Sequence, residues 1–383
     1  RRIKITKVET IRVKEQPRVV WVQIYTDEGQ VGLGETWYGA RAVEAAIHEL
    51  FAPLLVGRNP LDIELLWYNM FRLADHWGYG GAETRAISAI DIALWDIAGQ
   101  AAGRPIYELL GGACRDRIRI YNTGGGPDFQ RDPVPYVKEL LSMGITAMKV
   151  GAFPVAHEGD GYSLSREELE RIVSPIRKIH EAVGDQMQIA IDGHGFWSLH
   201  NASIIAHALE PYNILWLEEM LSPRNVDAHL KLAQETRIPI CLAERFVTRY
   251  QFREFIEKGA VEIVMPDLIW TGGISETKKI AILAETYQLP VCPHDCTGPV
   301  NVFACAHICM NVPNAMLMET TRPFYEGWYG QFVSPNLNIQ NGYLLAPEGP
   351  GLGTRLRPEV RKRRDVTIEV SDREMLHYLE WRQ

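Results

Sequence analysis

The rhythm of apolar and polar positions changes once along the chain, near Ile118. Ahead of that point, Ile3–Val13 and Val19–Thr26 (VVWVQIYT) read as two strands joined by a turn at Gln16-Pro17, and Asp27-Glu28-Gly29 closes the second. A helical stretch starts at Arg41, after Gly32-Leu33-Gly34-Glu35, and another runs from Pro60 to Phe71. The clearest helix spans Thr84 to Ala101. Its Ile87, Ile90, Leu94 and Ile97 recur at steps of three or four, and Gly103-Arg104-Pro105 stops it. Residues 1–125 therefore predict an α+β unit with an antiparallel sheet.

From Ile118 onward, short apolar runs alternate with helix-length inserts: IRIYN, ITAMKV, MQIAID, ILWLEE, IPICLAE, VEIVMPD, LPVCPHD and AMLMET. Parallel strands need crossover helices, so eight strand–helix repeats predict a (β/α)8-type, TIM-like barrel over residues 126–350. An open doubly wound sheet is the competing topology. Residues 351–383 are expected to return to the first unit and complete it as a capping domain. Their basic run Arg361-Lys362-Arg363-Arg364 reads as a solvated face.

Six strand candidates end in or just beyond an ionisable residue: Asp192, Glu218, Glu244, Asp267, His294 and Glu319, at steps of 26, 26, 23, 27 and 25 residues. In a barrel, this spacing gathers them around one mouth. So many acids repel in a partly desolvated site unless neutralised. For Asp192, Glu218 and Glu244, on adjacent strands, the simple neutraliser is a hard divalent cation, Mg2+. Asp267 on a neighbouring strand would orient His294 and raise its basicity, making the imidazole a proton acceptor. His194 lies two residues past Asp192, so on an extended strand it aims into the same mouth. Lys149 closes the second barrel strand and supplies a cation there or stands in solvent.

Composition removes several alternatives. Of 383 residues, 46% are apolar and 23% charged, which excludes global disorder. With 40 Lys+Arg against 48 Asp+Glu, the net charge of −8 argues against nucleic-acid binding. No apolar run approaches the roughly 18 residues of a membrane span, and no apolar leader opens the sequence. The expectation is a cytoplasmic protein without membrane partners. The cysteines are Cys114, Cys241, Cys292, Cys296, Cys305 and Cys309; four crowd together with His294 and His307 but without a CxxC knuckle. Cys241, Cys292, Cys305 and Cys309 lie in apolar runs and read as buried small hydrophobes.

Over nearly its whole length the chain resembles the mandelate racemase-like branch of the enolase superfamily. The resemblance rests on GLGET, SAIDIALWDIAGQAAGRPIYELLGG, IDGHG, WLEEM, LAERF, MPDLIWTGGISE, CPHDCTGP, METT and GPGLG. It implies one Mg2+ per subunit on Asp192, Glu218 and Glu244, an Asp267–His294 base dyad, Glu319 as a neutral donor to the substrate carboxylate, and an even-numbered homo-oligomer (dimer, tetramer or octamer). Racemase-like members carry Lys-x-Lys on the second barrel strand. Here Lys149 matches the first lysine, while Gly151 stands at the second. Two-base racemisation thus loses a partner, unless Tyr162 or His157 replaces it. Asp192-x-His194 resembles acid-sugar dehydratases of the D-galactonate type, in which the histidine protonates the departing hydroxyl. The resemblance thus implies an aldonate-type acid sugar of 2R configuration, converted to a 2-keto-3-deoxy acid. An isomerase using the same enediolate chemistry is the alternative, and a metal-dependent binding protein a third. For the lid, the candidates are the Glu15–Arg18 turn, Trp37-Tyr38-Gly39, His76-Trp77-Gly78-Tyr79-Gly80 and the loop 157–162, with Trp77 or Tyr79 against the sugar or in the core.

Overall fold

The computed structural model describes residues 3–153 and 160–375. Strands β1 (Ile5–Val13), β2 (Val19–Thr26) and β3 (Val31–Trp37) form an antiparallel meander, and the late strand Val366–Asp372 adds to the free edge of β1. The C-terminal segment thus completes the capping sheet. Two members of its basic run hold it there: Arg361 bonds Glu9 Oε2 at 2.7 Å, and Arg363 pairs with Glu15 and Asp365. The solvated-face reading is therefore corrected for Arg361 and Arg363.

Strand β3 was absent from the expected pattern because two of its first four residues are glycine. Those glycines are a packing requirement. The helix Ala82–Ala102 lies directly on the β3 backbone. A Cβ at Gly34 would stand 1.8 Å from the Ala89 carbonyl oxygen, and one at Gly32 would stand 2.1 Å from that of Ala93. This helix ends, as its sequence predicts, on Gly103 at φ 65°. The stretch from Arg41 begins as Ala40–Ala45 and widens into a π turn at Ala46–Phe51, while the next helix occupies Ile63–Trp77.

The barrel strands β4 (Arg117–Thr123), β5 (Ala147–Gly151), β6 (Gln188–Asp192), β7 (Leu217–Glu218), β8 (Ile240–Leu242) and β9 (Ile263–Val264) follow in parallel order. Strand β10 (Met318–Thr320) pairs back to β4 and closes the ring. Because β4 pairs on both sides within the barrel, the barrel sheet begins ahead of residue 125. The seventh run, LPVCPHD, contributes single bridges from Val291 to Val264 and Ala315 instead of a ladder. Pro290 and Pro293 flank it and lack N–H donors. Inside the ring, Tyr121, Ala147, Ala190, Trp216, Cys241, Ile263, Cys292 and Leu317 pack as a buried cluster. Cys305 and Cys309 are buried in the helix Pro299–Asn311. None of the described helices is long and apolar enough to cross a membrane.

Buried acids of the capping unit join it to the barrel. Glu35 accepts from Trp21 Nε1 (2.8 Å) and the Asn301 N–H (3.1 Å). Asp91 accepts from the Ser275 N–H at 3.0 Å, and Asp96 from the N–H groups of Leu33 and Leu352, both at 2.9 Å. Burial, only partly offset by these bonds, pushes Glu35 up to about 8, Asp91 to about 7 and Asp96 to about 6. A buried acid with a raised pKa stabilises the fold fully below its unfolded value. That contribution is lost as pH rises through the folded one. The melting temperature is therefore expected to fall from about pH 4 upward and to level off past about pH 8. In Glu35→Gln the decline near pH 8 is expected to be shallower, as read from melting curves across that window.

Candidate active site

The barrel delivers the predicted residues to one end. Asp192 and Glu218 close β6 and β7 and are partners in register, and Glu244 follows β8. Asp267 follows β9, where its Oδ1 accepts the Ile269 N–H at 2.9 Å; His294 follows the seventh run, and Glu319 sits in β10. A cavity of about 920 Å³ opens over them, lined by Asp192, His194, Glu244, His294, Glu319 and Lys149, with Glu218 and Asp267 behind the wall.

Lys149 is buried, which decides against the solvent-exposed reading. Its Nζ lies 2.8 Å from both Glu218 Oε1 and Glu319 Oε1. Burial alone would lower its pKa, but Glu218 and Glu319 outweigh it and keep the ammonium charged. Glu319 also accepts from the Thr123 hydroxyl and from the Asp295 N–H. Burial pushes Glu319 upward, yet Lys149 and His294 hold it below the usual carboxylate range.

His294 Nδ1 lies 2.7 Å from Asp267 Oδ2, as a base dyad requires, and Nε2 lies 3.0 Å from Glu244 Oε2 and 3.9 Å from Glu319 Oε2. Burial opposes charge on this ring, but Glu244, Glu319 and Asp267 outweigh it and raise its pKa well above the imidazole range. With Nδ1 and Nε2 each beside a carboxylate, the ring can act as a base only from its neutral form. Asn301 adds a second support: its Nδ2 reaches Asp267 Oδ1 at 3.4 Å, while its own N–H is held by Glu35 of the capping unit.

The donor set for a cation is mixed in its fit. Asp192, Glu218 and Glu244 offer oxygen donors only, as a hard divalent ion prefers. Burial, reinforced by the neighbouring acids, pushes Glu218 up to about 8 and raises Asp192 as well. Ionising both beside Lys149 alone is thus opposed, and a bound cation would favour it. Among the described residues, however, no three acidic, His or Cys side chains close around one ion position. The cause is visible in their pairing: Glu218 is bonded to Lys149 and to Trp216 Nε1, and Glu244 to His294. The chemistry of the three fits a divalent cation; their side-chain placement does not yet surround one.

Other expectations are redirected. His194 reaches the cavity, but not by strand alternation: the chain leaves β6 and turns at His194 with φ 52°. Its Nε2 lies 4.0 Å from Glu244 Oε1. Tyr38 lines the cavity, whereas Trp77 stands exposed outside its lining and Tyr79 packs on Phe71. Tyr162 is 81% exposed and lines no part of the cavity; His157 lies outside the described residues. Glu15 pairs with Arg363, and Arg18 stands over the Tyr38 ring. Wall elements missed include Arg85, Phe153, Arg245, Trp270 and the loop Gly124–Arg131. Arg85 crosses from the capping helix, bonds the Trp37 carbonyl at 2.7 Å and lies 4.6 Å over the Trp270 ring, which packs on His294. Only the Gly124-Gly125-Gly126-Pro127 composition of the loop signalled a mouth element in the sequence.

Known proteins supply a frame for this geometry. Residues 4–111 match the mandelate racemase / muconate lactonizing enzyme N-terminal domain, and residues 135–360 match the enolase C-terminal domain-like family. A D-galactonate dehydratase from Ralstonia nicotianae is 37% identical over 92% of this chain and 91% of its own length. A D-xylonate dehydratase from Haloferax volcanii is 35% identical over 92% and 86%. A crystal structure of an enolase of the mandelate racemase subgroup from Agrobacterium tumefaciens, with a succinimide residue, superposes with a TM-score of 0.91 at 41% identity, covering 97% of this chain and 99% of that one. With both domains matched and a (β/α)8 barrel beneath an α+β cap, the chain belongs to the mandelate racemase / muconate lactonizing enzyme group of the enolase superfamily.

Proposed function

We propose that the protein is a hydro-lyase acting on an aldonate-type acid sugar of 2R configuration and releasing a 2-keto-3-deoxy acid. The observation that carries this reading is the pair of imidazoles at Glu244, with His294 Nε2 at 3.0 Å from one carboxylate oxygen and His194 Nε2 at 4.0 Å from the other. One mouth thus holds two separate proton carriers. The dehydratase names of the relatives support the same chemistry.

His294 takes the C2 proton at Nε2 while Asp267 fixes its Nδ1–H. Removing that proton drives negative charge onto the substrate carboxylate. Lys149, held by Glu218 and Glu319, faces that charge as a fixed ammonium. A divalent cation, Mg2+ in this reading, would be held by Asp192, Glu218 and Glu244 and would supply positive charge beside the same carboxylate. His194 then gives its proton to the 3-hydroxyl, so that water departs instead of hydroxide. The isomerase alternative needs a second base across the substrate. At the matching strand position stands Gly151, in register with Asp192, and Tyr162 lies away from the cavity.

His294→Asn is expected to lower both C2 deuterium exchange and water loss by at least about a hundredfold, whereas His194→Asn retains exchange and loses water elimination. Proton NMR in D2O with a product assay measures both. Chelation with EDTA is expected to remove activity, and Mg2+ alone to restore it; full turnover by metal-stripped protein would refute the ligand assignment. In a panel of aldonates, uronates and aldarates, turnover is expected for 2R acids, with each product lighter by one water in mass spectra. A product of unchanged mass would establish isomerisation instead.

A further inference from the structure

Gly151 lies on β5 with no unusual φ, so its backbone does not require glycine. Space does. A Cβ at position 151 would meet Phe153 Cε1 at 2.8 Å and Cζ at 3.1 Å. The Phe153 ring in turn lies flat against the His194 imidazole, with centroids 4.8 Å apart and planes 20° from parallel. Both residues line the cavity.

The His194 backbone is pinned. Its N–H donates to Asp192 Oδ1 at 2.8 Å, and its carbonyl accepts from Arg245 Nη2 at 2.6 Å. The side chain is not: 43% exposed, it has its nearest carboxylate oxygen only 4.0 Å away, beyond hydrogen-bond reach. A half-exposed imidazole on a left-handed residue retains rotamer freedom unless a surface restricts it. Phe153 is that surface, and it occupies the volume that a side chain at 151 would fill.

We infer that Gly151 and Phe153 together aim His194, the glycine leaving room for the ring and the ring holding the imidazole toward the substrate's leaving hydroxyl. Phe153 is thus a positioning residue for the elimination step. The absence of a lysine from position 151 and the presence of an oriented acid become one structural feature. The inference rests on the reading of His194 as the acid.

The test compares Phe153→Leu, Phe153→Tyr, Gly151→Ala and His194→Asn with the wild-type enzyme in Mg2+. Two readouts are taken: the ratio of water loss to C2 exchange, and the NMR shifts of the His194 ring protons without substrate. His194→Asn identifies the resonance. In Phe153→Leu and Gly151→Ala the ratio is expected to fall at least about tenfold, and the His194 resonances to lose the ring-current shift of a stacked imidazole. Phe153→Tyr, which keeps the ring, is expected to hold the ratio within about twofold. A wild-type ratio and unmoved resonances in Phe153→Leu, alongside lost elimination in His194→Asn, overturn the aiming role alone. Wild-type water loss in His194→Asn overturns the acid assignment, and the aiming role with it.

Discussion

The site depends on one buried ammonium. Lys149 stands between Glu218 and Glu319 at the mouth of a barrel whose strands deliver further carboxylates at nearly every end. Removing such a cation from a desolvated acid cluster leaves uncompensated charge, which in buried pairs costs about 3–5 kcal/mol. The lysine touches Glu218 and Glu319 equally, so their difference comes from their other neighbours. Glu319 also meets His294 and is held below the usual carboxylate range, whereas Glu218 faces Asp192, Glu319 and Glu244 and is pushed up to about 8. Two chemically identical side chains on one lysine are thus shifted in opposite directions by the charges around them.

A second set of acids does structural work at a distance from the mouth. Glu35, Asp91 and Asp96 accept backbone N–H groups across the junction between cap and barrel. Glu35 is connected to the base: it holds the Asn301 N–H, and the Asn301 amide reaches Asp267, the partner of His294. The geometry of the His294–Asp267 pair is therefore set partly by a strand of the other domain.

Much of this was readable before any coordinates. The ring of acids could be found because each recurs once per strand–helix unit, and a closed barrel turns that period into proximity. Lys149 was ambiguous because a single strand-end lysine carries no sign of its partners. His194 was placed by strand alternation, yet the chain turns there at φ 52°, so its direction came from local backbone and from Phe153. β3 hid behind Gly32 and Gly34, whose reason is the helix Ala82–Ala102 packed on them, a contact between segments far apart in sequence. Arg85 and Trp270 belong to the same class. Nothing in the spacing of the sequence says that a capping-helix arginine will lie over a barrel tryptophan.

The helix Ala82–Ala102 carries Arg85 into the cavity wall and, on a neighbouring turn, bears Asp91 locked to Ser275. Swinging the cap aside as a rigid door would tear such bonds open in a dry seam, at about 1–3 kcal/mol for each buried group left unsatisfied. The Gly124–Arg131 loop lines the same cavity but takes no part in those bonds. Arg85 and the bonds behind it thus make the cap a fixed wall of the cavity, not a hinged cover.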